Sequence, residues 1–217
     1  NKKMSIKKST NWFKAHSSDF FVRLSREQNY RSRAAYKLIE LEKKYHLISE
    51  SVSVIDLGSA PGSWLQVLSN FRNLKYILGV DRQELAEVEG VDIFQCDIRE
   101  SLRIREILIK YNSRIDLVLS DIAPNISGIA DVDQANFVEI TECVLEVCEI
   151  TLKNKGNLIL KQFTGIRIND IKDLLLKCFD KVELFKPDSS KKNSRELYLV
   201  CFGYKDANIE ESQIDIS

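Results

Sequence analysis

Each of five short apolar runs in this 217-residue sequence is followed closely by a charged residue. The runs span 52–55, 76–80, 91–94, 115–119 and 157–160, and the charged residues are Asp56, Asp81, Asp97, Asp121 and Lys161. Short apolar runs that alternate with helical stretches predict buried parallel strands. In a doubly wound sheet of such strands, the ligand binds beyond their carboxyl ends. Each acid alone is better explained as a helix N-cap, but four acids and a lysine on one rim predict a functional site.

A glycine-rich turn follows the first run and reads Asp56-Leu-Gly-Ser-Ala-Pro-Gly-Ser-Trp64. It is neither a dinucleotide fingerprint nor a P-loop, because no Lys-Ser/Thr pair follows for phosphate and metal. Gly58 and Gly62 let the backbone approach a ligand closely. Asp81 is placed to accept from both hydroxyls of a ribose, and Asp97 from an exocyclic amine. A nucleoside with a cationic centre fits this site, and S-adenosylmethionine (SAM) is the common cofactor of that description.

Five segments of the chain carry a resemblance to a known family. They are Arg31-Ser-Arg-Ala-Ala-Tyr-Lys-Leu38, the turn at 56–64, Ser120-Asp-Ile-Ala-Pro-Asn-Ile-Ser-Gly128, Leu160-Lys-Gln-Phe163, and Lys186-Pro-Asp-Ser-Ser190 with Ser194-Arg-Glu-Leu-Tyr198. With these motifs the chain resembles, from about Trp12 to Phe202, the FtsJ/RrmJ (RlmE) family of ribosomal RNA 2′-O-ribose methyltransferases. Ser59 and Ser63 stand where that family usually has Ala or Gly, and the loop after Asp81 is short.

The resemblance implies both a catalytic tetrad and a set of cofactor contacts. The tetrad of two lysines and two carboxylates falls on Lys37, Asp121, Lys161 and Glu196. The implied SAM contacts fall on Gly62, Trp64, Asp81, Asp97 and Asp121, and the glycine-rich turn adds Gly58. The resemblance also implies a seven-stranded Rossmann-like methyltransferase fold whose last strand is antiparallel.

The substrate that the resemblance implies is a uridine of large-subunit (23S) rRNA, methylated on its ribose 2′-hydroxyl within the assembled 50S subunit. Two other hypotheses stay open. A tRNA or mRNA-cap 2′-O-methyltransferase shares the tetrad, and a non-catalytic RNA-binding ribosome-assembly factor would carry a vestigial cofactor site. The complete tetrad argues against the second of these.

The types of the tetrad residues suit methyl transfer to a hydroxyl. This reaction is an in-line displacement that depends on positioning and on removal of the hydroxyl proton. A lysine, with an ordinary pKa of about 10.4, is a poor base at neutral pH. Lys37 and a sulfonium would favour the neutral form of Lys161, whereas Asp121 and Glu196 would oppose it. Lys161 is therefore either a base or an ammonium that stabilises the developing alkoxide.

Several of these residues also have an ordinary structural explanation. Lys37 would otherwise be one more solvated lysine of a basic N-terminal segment, and Glu196 a charge that protects an edge strand from aggregation. Asn125 and Trp64 have alternatives in loop hydrogen bonding and core packing. Membership of specific motifs favours the catalytic interpretation for Lys37 and Glu196.

Charge is unevenly distributed along the chain. The net charge is zero, with 32 basic and 32 acidic side chains, which alone argues against a nucleic-acid partner. Residues 1–37 nevertheless hold ten basic and two acidic side chains, a balance of +8, and a second basic cluster lies within 181–195. Such segregation predicts an RNA partner, although a frayed, solvated end would have the same composition. The expected RNA-binding residues are Arg23, Arg26, Arg31, Arg33, Lys186, Lys191, Lys192 and Arg195. Tyr30 or Tyr36 would stack an unpaired base.

Alternating strand and helix patterns predict an α/β fold with a doubly wound, mostly parallel sheet. Two further strands are expected at 181–186 and 196–200. The predicted helices span 19–28, 32–46, 63–70, 100–110, 133–153 and 168–178. Ser32 is the expected N-cap of the second helix. We expect one methyltransferase domain over 1–217, with a basic helical arm at 1–46 and an acidic, flexible tail at 206–217.

The five cysteines are odd in number and form no CxxC pair. They predict neither a disulfide framework nor a metal site, and reduced thiols fit a cytoplasmic protein. Cys143 and Cys148 are expected to pack in the core. No apolar run approaches the roughly 18 residues of a membrane span, so no membrane partner is expected. The expected oligomeric state is a monomer.

Overall fold

The computed structural model describes residues 21–111, 114–164, 167–190 and 194–206. Within these residues, one sheet has seven strands: β1 (Ser53–Leu57), β2 (Tyr76–Asp81), β3 (Asp92–Gln95), β4 (Ile115–Ser120), β5 (Leu152–Phe163), β6 (Phe179–Phe185) and β7 (Glu196–Tyr204). Their order in the sheet is β3-β2-β1-β4-β5-β7-β6. β1 to β5 pair in parallel, and β7 pairs antiparallel with both β5 and β6. The predicted mostly parallel sheet with an antiparallel last strand is confirmed.

The helices follow the predicted order, with ends displaced by up to three residues. They are α1 (Ala34–Tyr45), α2 (Ser63–Leu68), α3 (Ser101–Ile109), α4 (Ala130–Thr151) and α5 (Ile168–Cys178). Residues 21–27 are also helical, and the first two residues of the helix predicted at 19–28 lie outside the described residues.

Helices cover both faces of the sheet, and each face has its own apolar core. On one face α1 and α2 pack against the sheet, with Leu38 and Leu65 fully buried. On the other face α3, α4 and α5 contribute buried side chains that include Ile104, Phe137 and Leu175. Burial of each such side chain contributes about 1.5–3 kcal/mol. This two-sided packing confirms the doubly wound prediction.

The end of the predicted N-terminal arm belongs to this packed structure. Ala35, Leu38 and Leu41 of α1 are fully buried, so this part of the arm is core. The predicted cap is displaced, because Arg33 occupies the N-cap position of α1. Ser32 Oγ still accepts from the Ala34 amide at 3.1 Å.

β5 is much longer than the apolar run that predicted it. It starts directly after α4 and passes a register irregularity before its regular pairing with β4 begins at Asn157. At its other end Lys161 pairs with Tyr198, and Phe163 pairs with Glu196. Periodicity detected only the apolar centre of the strand, whereas pairing with β7 extends it through the polar residues that matter for the site.

The last described residue is anchored. Asp206 is buried, and its Oδ2 lies 3.3 Å from Nη1 of Arg114. The first residue of the tail predicted at 206–217 is therefore part of the fold, and the rest of that segment lies outside the described residues.

All five cysteines are free thiols. Cys148 is buried in the core as predicted, and burial raises the pKa of its thiol. Cys143 departs from the prediction, because its side chain is partly exposed on the cavity described below. In the part of the chain that the structure describes, no helix is both long and apolar enough to span a membrane.

Candidate functional site

The loops that follow β1, β2, β3 and β4 enclose a cavity of about 450 Å³. Asp81, Asp97 and Asp121 all line it, so three of the four acids predicted on the rim come together. The remaining wall comes from α4. The lining residues are Gly58, Ala60, Asp81, Arg82, Gln83, Cys96, Asp97, Ile98, Arg99, Asp121, Ile122, Ala123, Pro124, Asn125, Asn136, Glu139, Ile140 and Cys143.

Beside this cavity the four predicted tetrad residues form a continuous chain of charges. Lys37 Nζ lies 2.7 Å from Glu196 Oε1. Lys161 Nζ lies 3.4 Å from Glu196 Oε2 and 3.3 Å from Asp121 Oδ1. Asp121 alone of the four also lines the cavity. This chain of charges therefore leads from α1 through β7 and β5 to the wall of the cavity.

Glu196 is the central member of this chain. Burial alone would raise the pKa of its carboxyl, but Lys37, Lys161 and a hydrogen bond from Ser190 Oγ at 2.9 Å lower it below its ordinary value. Glu196 is therefore ionised at neutral pH and holds both lysine side chains in place.

Tyr198 fixes the other carboxylate of the chain. It stands two residues after Glu196 on β7, and its hydroxyl donates to Asp121 Oδ1 at 2.7 Å. Burial, together with the negative charges of Asp121 and Glu196, raises the pKa of Tyr198. The phenol thus stays protonated and remains a donor.

Backbone amides orient the two acids deeper in the cavity. Asp81 Oδ2 accepts from the Ala60 amide at 2.9 Å, and Oδ1 accepts from the Gln83 amide at 2.8 Å. Asp97 Oδ1 accepts from the Arg99 amide at 3.0 Å. Each carboxylate oxygen keeps a free lone pair, so both acids can still accept from a ligand.

Asp56, the fourth acid predicted on the rim, lies instead in the interior. β1 continues through Leu57, and the carboxyl of Asp56 is buried with no hydrogen-bond partner among the described residues. Burial, with Asp121 and Asp81 nearby, raises the pKa of Asp56 well above its ordinary value. The rim prediction was wrong for this residue because the strand runs one residue further than expected.

Comparison with known proteins assigns the chain to a family. The model of the FtsJ-like methyltransferase family matches residues 30–204. The chain belongs to this family. A ribosomal RNA large subunit methyltransferase E from Pseudomonas fluorescens is 39% identical over 201 residues, which cover 92% of this chain and 96% of the relative. The family expected from the sequence motifs is confirmed.

Proteins from other organisms are also similar to this FtsJ-like methyltransferase over most of its length. A protein of the same name from Methanocaldococcus jannaschii is 35% identical over 211 residues, with 94% of this chain and 86% of the relative covered. A crystal structure of a ribosomal RNA methyltransferase from Plasmodium falciparum superposes with a TM-score of 0.70 at 34% identity, and covers 81% of this chain and 98% of that chain.

The cavity of this FtsJ-like methyltransferase fits a nucleoside with a cationic centre in both size and charge. Its volume of about 450 Å³ is within the usual range for small-molecule sites. Gly58 lines it with a φ of +72°, and a Cβ there would collide with Ile122. Four carboxylates line the cavity, those of Asp81, Asp97, Asp121 and Glu139, and they supply acceptors and outnumber the two lining arginines. In the described ranges, no group of three metal-ligating side chains occurs that could hold a metal ion.

Two predicted cofactor residues do not line the cavity. Trp64 is buried in the core under α1, where its indole Nε1 donates to the Ala34 carbonyl at 2.8 Å and its ring packs 5.8 Å from that of Tyr198. Gly62 is the N-cap of α2, with a φ of +102°. Both residues therefore belong to the glycine-rich turn but not to the lining of the cavity.

The predicted RNA-binding arginines divide into exposed and engaged side chains. Arg23, Arg26 and Arg195 are exposed, and Arg23 lies 3.7 Å from Glu27. Arg31 donates to three backbone carbonyls, and Arg33 donates to the Ser189 carbonyl.

The segment with the predicted basic cluster near the end of the chain is hydrogen-bonded to α1. Glu40 accepts from the amides of Asp188 and Ser189 at 2.6 and 2.8 Å. Lys186 donates to the Ser194 carbonyl at 3.1 Å. Lys191 and Lys192 lie outside the described residues.

The two tyrosines that were expected to stack a base differ in accessibility. Tyr36 is buried, packs 5.3 Å from Phe21, and donates to Gln28 Oε1 at 2.9 Å. Tyr30 is partly exposed and meets the Tyr36 ring edge-on at 5.9 Å. Tyr30 is therefore the more accessible of the two tyrosines.

Sequence reasoning missed the contribution of α4. Asn136, Glu139, Ile140 and Cys143 line the cavity at helical spacing, and Glu139 Oε1 accepts from Arg99 Nη2 at 3.0 Å. Their three- and four-residue spacing was a visible signal of one helix face. It did not reveal that this face meets the loops after β2 and β3.

Proposed function

We propose that this protein transfers a methyl group from SAM to the ribose 2′-hydroxyl of a uridine in large-subunit rRNA, within the assembled subunit. The observation that carries the proposal is the charge chain from Lys37 through Glu196 and Lys161 to Asp121, which ends at the cavity. The names of the relatives support rRNA as the substrate.

Different residues of the cavity would contact different parts of the cofactor. Asp81 would accept from the ribose hydroxyls of SAM and Asp97 from the adenine amine, because both carboxylates line the cavity with acceptor capacity to spare. Gly58 would let the backbone close on the ligand. Bound SAM supplies an electrophilic methyl group on a sulfonium, and the negative charge of Asp121 at the cavity wall complements that cation.

The lysines would act on the hydroxyl that receives the methyl group. Lys161 Nζ lies beside Asp121, and we assign to it the contact with the 2′-oxygen. As the hydroxyl proton passes to water and the methyl group moves from sulfur to oxygen, leaving S-adenosylhomocysteine, the positive charge of Lys161 would stabilise the oxygen, and Lys37 would add to the same field. Glu196 and Asp121 hold both groups still, so little reorganisation is needed in the transition state.

The test is methyl transfer from labelled SAM to large subunits that lack the modification, compared with free rRNA, tRNA and capped mRNA. We expect transfer to the assembled subunit, with a product that resists alkaline cleavage at one uridine. The Lys161→Ala variant serves as the control and should bind SAM but transfer the methyl group far more slowly.

Each other outcome excludes part of the proposal. Transfer to tRNA or cap alone would assign a different RNA, and unchanged transfer by Lys161→Ala would remove Lys161 from catalysis. SAM binding without transfer to any RNA would support a non-catalytic assembly factor.

A further inference from the structure

Arg31 joins two loops of the cavity through its guanidinium. Nη1 donates to the Pro61 carbonyl at 3.0 Å and to the Ala86 carbonyl at 2.9 Å. Nη2 donates to the Glu87 carbonyl at 2.7 Å. The first acceptor belongs to the glycine-rich turn after β1, and the other two belong to the loop after β2. One side chain therefore connects both segments.

These two segments are the ones that orient Asp81. The Ala60 amide, next to Pro61, donates to Asp81 Oδ2, and the Gln83 amide, three residues before Ala86, donates to Oδ1. Both Ala60 and Gln83 line the cavity. A shift of either loop would rotate the carboxylate or remove one of its two donors.

Gly62 leaves room for the guanidinium of Arg31 because it has no side chain. A Cβ on Gly62 would collide with Nη1 of Arg31. The Arg31 backbone is also fixed, because its amide donates to Gln66 Oε1 at 2.8 Å. Beside it, the hydroxyls of Ser32 and Ser63 are 2.6 Å apart. Hydrogen bonds therefore hold the main chain of Arg31 against α2 and its side chain against the glycine-rich turn.

We propose that Arg31 is a positioning residue for the cofactor, which sets cofactor affinity by tying together the two loops that orient Asp81. It does not act as a phosphate contact, which is what its place in the basic segment suggests. The inference rests on the proposed function in one respect, namely that the cavity binds SAM. A lysine cannot replace Arg31, because a single ammonium lacks the planar fork that reaches carbonyls of two loops at once.

The test measures binding of S-adenosylhomocysteine by calorimetry, without RNA, to the full native chain and to the Arg31→Lys and Arg31→Gln variants. We expect binding about tenfold weaker in both, as for loss of one charge-assisted hydrogen bond. In the transfer assay, the KM for SAM should rise, with kcat unchanged at saturating SAM.

Arg114→Lys is the matched control. Arg114 Nη1 also donates to backbone carbonyls, those of Glu149 and Leu152 at 3.2 and 3.0 Å, but it precedes β4 and lies at the opposite end of the sheet from the cavity. The control should lower thermal stability to a similar degree and leave cofactor affinity unchanged. This separates a specific effect on the cavity from general loosening of the fold.

Hydrogen exchange of the ligand-free chain supplies a second readout. The Ala60 and Gln83 amides should exchange faster in Arg31→Lys than in the native chain or in Arg114→Lys. Native binding affinity in Arg31→Lys, together with unchanged exchange at both amides, would overturn the inference. A native chain that binds no S-adenosylhomocysteine would contradict the proposed function instead, and the exchange experiment would still decide whether Arg31 holds the loops.

Discussion

Lys37 Nζ lies 2.7 Å from Glu196 Oε1, and the two side chains are only 11% and 9% exposed. This pair links the first turn of α1 to the first residue of β7. The desolvation cost of burying Lys37 is offset only while Glu196 is ionised beside it, because a buried charge without its partner is strongly destabilising. The pair therefore makes the position of α1 depend on the same carboxylate that holds Lys161.

Glu196→Gln should lower the free energy of unfolding by about 3 kcal/mol at pH 7, since it removes the carboxylate beside the buried Lys37 and leaves Lys161 with Asp121 alone. The lysines lower the pKa of Glu196 below its ordinary 4.5. A carboxyl with a lowered folded pKa contributes stability above its unfolded pKa and loses it as the pH falls through the folded value. Urea unfolding at pH 7 and pH 4 should thus show a smaller difference between variant and native chain in acid.

Glu183→Gln is the control for this prediction. Glu183 also pairs with a lysine, at 2.6 Å from Lys181, but on the edge strand β6, where the side chains of Lys181 and Glu183 are 64% and 34% exposed. Exposed pairs contribute little to stability, so this variant should unfold like the native chain. Equal losses in the two variants would show that burial of the Glu196 pair is unimportant.

Asp56→Asn should be tolerated and should remove a source of instability that grows as the pH rises from acid toward neutral. Burial raises the pKa of Asp56 above its ordinary 3.8. The contribution of a carboxyl with a raised folded pKa is greatest below the unfolded value and declines as the pH rises through the folded value. Melting temperatures from pH 4 to 8 should therefore coincide in acid and favour the variant progressively as the pH rises. A variant that is less stable at pH 8 would mean that Asp56 is ionised in the folded protein.

Lys161→Arg should retain more methyl transfer than Lys161→Ala. Two carboxylates lie within 3.4 Å of Lys161 Nζ, a setting that suits a permanent cation, and arginine supplies that charge without serving as a base. We expect Lys161→Ala to lower the single-turnover rate by about 10²–10³-fold, as for loss of one oxyanion donor. If Lys161 instead accepts the proton, both variants should lose activity equally, and the native rate should rise with pH while that of the arginine variant does not.

The sequence predicted which helix and which strands carry the tetrad residues, because each of these residues stands in a motif or next to an apolar run. It failed where a one-residue difference in strand length decides whether a side chain stands at the end of a strand or within it. β1 extends one residue past the predicted end, to Leu57, so Asp56 lies within the strand and is buried. Charge patterns had a different limit, since they do not reveal whether an arginine such as Arg31 meets a phosphate or a carbonyl. Nor does an apolar or aromatic residue in a motif, such as Trp64, reveal which side of the turn it occupies.

RNA binding should depend steeply on salt, and the exposed arginines of the 21–27 helical stretch should carry part of that dependence. Arg23 and Arg26 are both exposed there, before Lys37 of the tetrad. Each phosphate contact contributes a slope of about 0.7–0.9 in a plot of log affinity against log salt. Arg23→Gln with Arg26→Gln should therefore reduce the slope by about 1.5 and weaken binding at low salt, with SAM affinity unchanged. Arg105→Gln, an exposed arginine of α3 on the other face of the sheet, should leave the slope as it is. Filter binding from low to high salt measures all three proteins, and a slope that is flat in the native chain, or equal in the double variant, would remove this segment from the RNA-binding surface.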